Sequence, residues 1–190
     1  YPKLPELIKY LNSLEATKSI FLVTNGQEPD MIQKLQDEDA LPTQLYLSTN
    51  AADYESFLKI NRPKYDDSWE RWNQTLDMLK RLKTRTVLRI TLIRDFNDQP
   101  EMIPVFAEMF RKASPHFIEI KSYMHIGRST NRLEHSNMLE MEEVRKFSEQ
   151  IAKQSKIFSM MDESIISRIS ILQNNERSID RWIPTYANTN

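Results

Sequence analysis

Short β-type runs and longer helical stripes alternate along this chain from one end to the other, and that alternation admits few folds. An opening helix begins near Pro5 with Leu7, Leu11 and Leu14 at helical spacing, and the β-run SIFLVTNG (19–26) follows. A helix from Pro29 and Asp30 turns Ile32 and Leu35 inward. Next come the strand TQLYLSTN (43–50) and a short helix carrying Tyr54, Phe57 and Leu58. Asp67 and Glu70 then mark the start of a helix whose Trp69, Trp72, Leu76 and Leu79 form an apolar stripe. The strand RTVLRITLI (85–93) leads to a helix from Pro100 to Lys112 packed through Ile103, Phe106 and Phe110, then to the strand HFIEIKSYM (116–124). A helix opening among Glu140, Glu142 and Glu143 buries Val144, Phe147 and Ile151 and ends at Lys153, as its dipole favours. The β-run ESIISRISIL (163–172) closes a pattern of one helix, four βα units and a last strand.

Strands separated by helices imply right-handed βαβ units and a parallel sheet, so the fold class is α/β. The strands have two unlike faces. Gln44, Tyr46, Ser48 and Asn50 oppose Leu45 and Leu47; Arg89 and Thr91 oppose Leu88, Ile90 and Leu92; Glu119, Lys121 and Tyr123 oppose Ile118 and Ile120. A doubly wound sheet, covered on both faces, requires nearly continuous apolar strands. A polar inward face fits an open or partial barrel whose lumen receives a charged ligand. The first strand leaves its phase open, because Asn25 shares a face with Phe21 and Val23.

Composition removes several chemistries. The 190 residues contain no cysteine, which excludes disulfides, thiol catalysis and cysteine-ligated metals or clusters within them. Gly26 and Gly127 are the only glycines, so neither a dinucleotide fingerprint nor a phosphate loop can form. His116, His125 and His135 lack metal-ligand spacing and are expected on the surface or in loops; no metal site is indicated. No Ser-His-Asp pattern supports a hydrolase. With 39% hydrophobic residues the chain is expected to form one ordinary core. No run approaches the roughly 18 apolar residues of a membrane span, so a soluble protein is expected, and the absence of cysteine adds the expectation of an intracellular, cytoplasmic one. The net charge of -1 confines any polyanion contact to a local patch. The first residue is Tyr1 rather than Met, and the chain is expected to be part of a longer protein.

Polar residues gather where α/β folds place their sites, at the C-terminal ends of strands. Thr24, Asn25 and Gly26 end a strand, as a plain turn or as groups facing a ligand. Ser48 and Asn50 end another, where Asn50 either caps the next helix or binds a ribose. Arg89 lies mid-strand and needs a partner, a structural carboxylate or that of a ligand. Glu119 and Lys121 share a face, so they belong to an ion-pair network or to a site where the lysine forms a Schiff base. Arg62, Lys64, Arg71, Lys80, Arg81, Lys83 and Arg85 flank one helix as solvated charge or as a binding patch. Arg128 and Arg132, in a long loop after a strand, are better placed for phosphate.

Taken in order, YPKLPELIKYL, FLVTNGQEP, PTQLYLSTNA, LKINRP with DDSWERWNQTL, TRTVLRITLIRDFN and FIEIKSYMHIGRS resemble the 4-demethylwyosine synthase family. These are radical S-adenosylmethionine enzymes of tRNA wybutosine biosynthesis. The resemblance runs from Tyr1 to about Leu172 and implies the C-terminal part of a partial (β/α)6 radical-SAM barrel without its N-terminal cluster-binding portion. Residues 1–172 would be barrel, with the wyosine-base-formation region from about residue 120, and 173–190 a C-terminal tail. The family's cysteines, which bind [4Fe-4S] clusters, and its pyruvate-binding lysine would precede Tyr1.

The implied reaction is a carbon-carbon lyase-class condensation. A 5′-deoxyadenosyl radical abstracts hydrogen from the methyl of N1-methylguanosine beside the anticodon of tRNA(Phe), and pyruvate supplies two carbons to give 4-demethylwyosine. It needs S-adenosylmethionine and an electron donor, and the chain alone is expected to be inactive. By resemblance Thr24, Asn25, Ser48, Asn50, Arg89 and Asn97 bind S-adenosylmethionine; Glu119, Lys121 and Tyr123 are catalytic; Arg62, Arg128 and Arg132 bind tRNA. Asn50 stands where the family usually has Asp, Ser122 where it has Gly, and Leu139 and Met141 where it has Pro and His. The alternatives are a cluster-free RNA-binding or scaffold relative, and a radical enzyme with another substrate. A C-x3-C-x2-C stretch upstream of Tyr1 excludes the scaffold.

Overall fold

Parallel register turns the two-faced strands into a two-faced sheet. In the computed structural model, which describes residues 1–183, β1 (Phe21–Thr24), β2 (Gln44–Ser48), β3 (Arg85–Leu92) and β4 (Phe117–Ser122) pair in that order, all parallel. Parallel partners lie on the same side of a sheet. The register therefore stacks Thr24, Leu47, Leu88 and Ile118 in one row and Ile90 with Ile120 in the next. Against this side pack α2 (Pro29–Asp37), α4 (Ser68–Met78), α5 (Met102–Ala113) and α6 (Met141–Ser155), through Ile32, Trp72, Phe106, Phe110 and Phe147. Leu45, Leu47, Leu88, Ile90, Leu92, Ile118 and Ile120 are wholly buried there.

The other side carries the rows Val23–Tyr46–Val87–Phe117, Ser48–Arg89–Glu119 and Thr91–Lys121. Phe21 and Val23 remain 47% and 45% exposed, so no helix among the described residues covers this side at β1. This fixes the phase of the first strand: Phe21 and Val23 lie on the polar side. The four parallel strands follow chain order without the reversal of a doubly wound sheet.

The final β-run differs from the single strand expected at 163–172. It is part of a hairpin, β5 (Phe158–Ser164) and β6 (Ile169–Asn174), and β6 pairs antiparallel with β4 to give the order β1-β2-β3-β4-β6-β5. Isoleucines continue through its turn at 165 and 166, which hides the reversal from propensity. The turn shows itself in Arg168, whose φ of 50° is left-handed. The opening helix α1 (Leu4–Asn12) also docks differently. It buries Pro5 and Ile8, and Ile8 packs on Leu35 and Ala40, whereas Leu7 and Leu14 are exposed.

The boundary expected after residue 172 falls two residues inside β6. Beyond it, the described part of the tail crosses the N-terminal ends of the strands. Arg85 donates to the carbonyls of Asp180 at 2.6 Å and Arg181 at 2.8 Å, and Arg177 reaches the Ser114 carbonyl. Residues 184–190 of that tail lie outside the described residues. At the same end, His116 Nδ1 accepts the Thr86 N–H at 3.1 Å. Burial first, and then the Arg177 and Arg85 cations, push His116 from 6.5 down to about 4.

A histidine held neutral in the fold but free to protonate when unfolded supports stability above its unfolded pKa. That support is lost as pH falls from about 6.5 toward 4. Urea unfolding across this window is expected to show the midpoint dropping with acidity, and His116→Gln should flatten the drop. An equal slope in the variant would remove His116 as its cause.

Candidate functional site

Chain ends of β1 and β2 open onto a cleft of about 650 Å³. It is lined by Asn25, Gln27, Ser48 and Asn50, and by Arg62, Lys64 and Tyr65 from the turn after α3 (Tyr54–Asn61). Helix α3 is fixed here because Asp53 caps it, its carboxylate accepting the Ser56 N–H at 2.9 Å. Arg62 takes a left-handed φ of 47° at its other end and turns the chain back. Asn25, Ser48 with Asn50, and Arg62, from three separate stretches of the sequence, thus meet at one mouth.

Asn50 Oδ1 accepts the Thr91 N–H at 3.1 Å, which ties β2 to β3 and gives its Nδ2 no partner among the described residues. Asn50 is therefore not the helix cap; Asp53 is. Gln27 went unnoticed in sequence because a glutamine after a turn carries no pattern. Its Nε2 donates to the Ser68 carbonyl at 3.0 Å, while its buried Oε1 has no partner among the described residues. A buried orphan acceptor costs about 1–3 kcal/mol unless something donates to it.

Two other expected ligand-binding residues are occupied. Thr24 lies in the row of Leu47, on the helix side, and its hydroxyl accepts the Gly26 N–H at 3.1 Å. Asn97 is wholly buried; it donates to the Asn50 and Thr91 carbonyls, each at 2.9 Å, and accepts the Ile93 N–H at 2.7 Å. These bonds make Asn97 a clamp that sets the ends of β2 and β3.

Deeper on the polar side, Arg89 Nε donates to Glu119 at 2.7 Å. The guanidinium lies 4.5 Å from the Tyr46 ring centroid, and Tyr46 packs on Phe21 at 4.3 Å. A ladder of Glu119, Arg89, Tyr46 and Phe21 so crosses all four parallel strands. Burial, followed by the Glu119 carboxylate, raises Tyr46 to about 12, so the phenol stays protonated. Lys121 stands one step farther along the strand, half-buried and without an ion pair among the described residues. Glu119 is taken by Arg89 rather than by Lys121. Tyr123 is buried, and its hydroxyl meets His125 Nδ1 at 3.2 Å and Ser129 Oγ at 3.1 Å.

The long loop after β4 is held from beneath. Arg94 donates to Glu143 at 2.6 and 2.7 Å and to the Ser136 and Met138 carbonyls, each at 3.0 Å. This bidentate pair holds the Glu143 carboxyl below its ordinary range. Arg128 and Arg132 lie exposed on the loop and make no side-chain bond among the described residues. Ser122 Oγ accepts the buried Leu139 N–H at 2.9 Å, so two of the departures from the resembled pattern are one contact. Glycine at 122 offers no acceptor, and proline at 139 needs none. Of the histidines, His135 is exposed, His125 lies in the loop, and His116 is the half-buried pin described above.

Comparisons with known proteins match this chain along most of its length. A family model described as wyosine base formation matches residues 112–174. The S-adenosyl-L-methionine-dependent tRNA 4-demethylwyosine synthase of Methanocaldococcus jannaschii is 41% identical over 95% of this chain, which spans 54% of that protein. The Oryza sativa protein of the same name is 38% identical over 82% of the chain, which spans 23% of it. Among solved structures, TYW1 with a lysine-pyruvate adduct bound superposes with a TM-score of 0.81 at 40% identity. It matches 94% of this chain and 54% of that one. The radical SAM enzyme HemN of Escherichia coli has a TM-score of 0.60 at 13% identity over 93% of this chain and 40% of its own, a likeness of fold alone. The chain spans about half the length of the archaeal relatives it matches.

Two stability outcomes follow from these contacts. Removing Arg89 or Glu119 alone strands a partly buried charge, so Arg89→Met and Glu119→Leu should each cost about 2 kcal/mol, while the double variant recovers part of it. Simple additivity in urea unfolding would deny the pair. Ser122→Ala should cost about 1–3 kcal/mol through the orphaned Leu139 N–H; unchanged stability would mean that the hydroxyl carries nothing.

Proposed function

The chain belongs to the 4-demethylwyosine synthase family, and on that premise we propose that the full-length protein condenses N1-methylguanosine of tRNA(Phe) with pyruvate to give 4-demethylwyosine. In this reading the four parallel strands β1 to β4 belong to a partial (β/α)6 barrel, with the base-forming region from about residue 120 and the tail starting after β6 rather than after residue 172. The reaction is of the carbon-carbon lyase class, occurs in the cytoplasm and draws on an external electron donor. The single observation that carries the reading is the cleft at the strand ends on the same sheet side as Lys121, in a chain that matches these enzymes over 95% of its length.

The cleft fits S-adenosylmethionine in size and donor set. Asn25, Ser48 and the unpaired Asn50 Nδ2 offer hydrogen bonds to a ribose, and the orphan Gln27 Oε1 accepts from an exocyclic amine. When bound and reductively cleaved by an electron from an external donor, that molecule would supply the 5′-deoxyadenosyl radical that takes hydrogen from the substrate methyl. Asn97 bonds the Asn50 carbonyl and Thr24 the Gly26 N–H, next to the lining residues, and Arg89 stays paired with Glu119 on the same side of the sheet. The [4Fe-4S] clusters do not fit these residues, which include no cysteine. Their ligands belong to sequence outside this chain, which alone is inactive. The alternative is a cluster-free RNA-binding or scaffold relative, which a C-x3-C-x2-C stretch upstream of Tyr1 would exclude.

We read Lys121 Nζ as a nucleophile toward the pyruvate ketone. Loss of water from the resulting carbinolamine leaves an imine. Tyr123, backed by His125, exchanges a proton at that centre, and Arg62, Arg128 and Arg132 hold tRNA phosphates. A lysine upstream is the rival nucleophile. Borohydride trapping of pyruvate on the full-length protein should label Lys121 and fail in Lys121→Ala; undiminished labelling of that variant assigns the imine elsewhere. The function itself is tested by anaerobic reconstitution with methylguanosine-containing tRNA and pyruvate, read by nucleoside mass spectrometry. A tricyclic product is expected, and none despite bound clusters sinks the proposal.

A further inference from the structure

Two turns at the active-site end of the sheet expose isoleucines that no core explains. In the β5–β6 turn, Ile165 is 67% and Ile166 95% exposed. Ile126, after β4, is 67% exposed. The register puts both turns at the same end. Ile169 lies opposite Lys121, and the Ser122 N–H donates to the Arg168 carbonyl at 3.0 Å, so residues 165–168 stand level with the chain leaving β4. All three isoleucines fall within the matched residues 112–174.

Both turns are braced. Gly127 reverses the chain with a φ of +62° and leaves Ile126 at the tip. The Ile126 N–H donates to the Met124 carbonyl at 2.8 Å. The Ile126 carbonyl accepts Ser129 Oγ at 2.6 Å, and that hydroxyl meets Tyr123 at 3.1 Å. In the hairpin the Arg168 N–H returns to the Ile165 carbonyl at 3.2 Å. Fixing an apolar side chain in water brings no stability, but it lowers the entropy cost of meeting a partner.

We propose that Ile126, Ile165 and Ile166 form an apolar wedge beside the C-terminal end of β4, which takes the place of unstacked bases in a single-stranded RNA loop. The inference rests on the tRNA reading above. A base must leave its stack before chemistry can reach it, and apolar wedges compensate the stacking that is lost. Charge favours RNA over an acidic or neutral partner. Arg128 and Arg132 lie beside Ile126 without carboxylate partners among the described residues, while Glu163 and Glu140, flanking the hairpin, are paired with Arg145 and Arg168 at 2.9 Å each.

The test uses the full-length protein and an anticodon stem-loop RNA carrying 2-aminopurine beside the methylguanosine. Wild-type protein should raise the 2-aminopurine fluorescence by unstacking it. Ile165→Ser/Ile166→Ser, at exposed positions, should bind about tenfold more weakly with an unchanged salt slope and lose the rise. Arg128→Ala/Arg132→Ala should lower the slope by about 1.4 yet keep the rise at saturation. Wild-type affinity and fluorescence in the isoleucine variant overturn the wedge. So does unchanged RNA binding with altered self-association, which assigns the turns to a protein contact. If wild-type protein makes no tricyclic base but the fluorescence arms behave as stated, the proposed chemistry falls and the wedge stands.

Discussion

Arg89 sits mid-strand in a parallel sheet, where a guanidinium without a partner costs several kcal/mol. Glu119 on the next strand answers it at 2.7 Å, and the Tyr46 ring covers its face. With that charge satisfied, one side of the sheet can stay polar while the other closes over Leu45, Leu47, Leu88, Ile90 and Ile120. Had the pairing slipped by one residue, Arg89 would enter the helix core and Leu88 would face the cleft. The polarity of the open side and the density of the core are thus one register, seen from two directions.

That register also separates the two ends of the sheet. At one end the strands finish in Asn25, Ser48, Asn50 and Lys121, with the Arg94-braced loop above them. At the other, Arg85, His116 and Arg177 are spent on backbone carbonyls and on one another. Basic residues that look alike in sequence therefore divide by position. Arg62 and Lys64 line the cleft, whereas Lys80, Arg81 and Lys83 precede β3 at the far end.

Periodicity made the parallel strands and the helices α4, α5 and α6 legible, because Trp72, Phe106, Phe110, Val144 and Phe147 leave no other face to bury. It failed where local pattern and tertiary contact diverge. Leu7, Leu11 and Leu14 form a helical stripe, yet α1 docks through Ile8. Ile165 and Ile166 read as strand because β-branched residues favour one, and only the left-handed Arg168 shows the turn. The site was legible as a set of strand ends but not as partners. Sequence could not tell that Asn97 spends every polar atom on backbone, that Glu119 belongs to Arg89, or that Gln27 keeps a buried oxygen unpaired. Each of those depends on a residue distant in the chain.

In the proposed function, S-adenosylmethionine binds on the polar side of this sheet, at the ends of β1 and β2. Hydrogen-deuterium exchange on the reconstituted full-length protein, with and without that molecule, tests it most directly. Slower exchange confined to peptides covering residues 24–28 and 48–51, with the far end around Arg85 and His116 unchanged, is the expected result. Protection at the far end, or none at the strand ends under saturating ligand, would contradict the account.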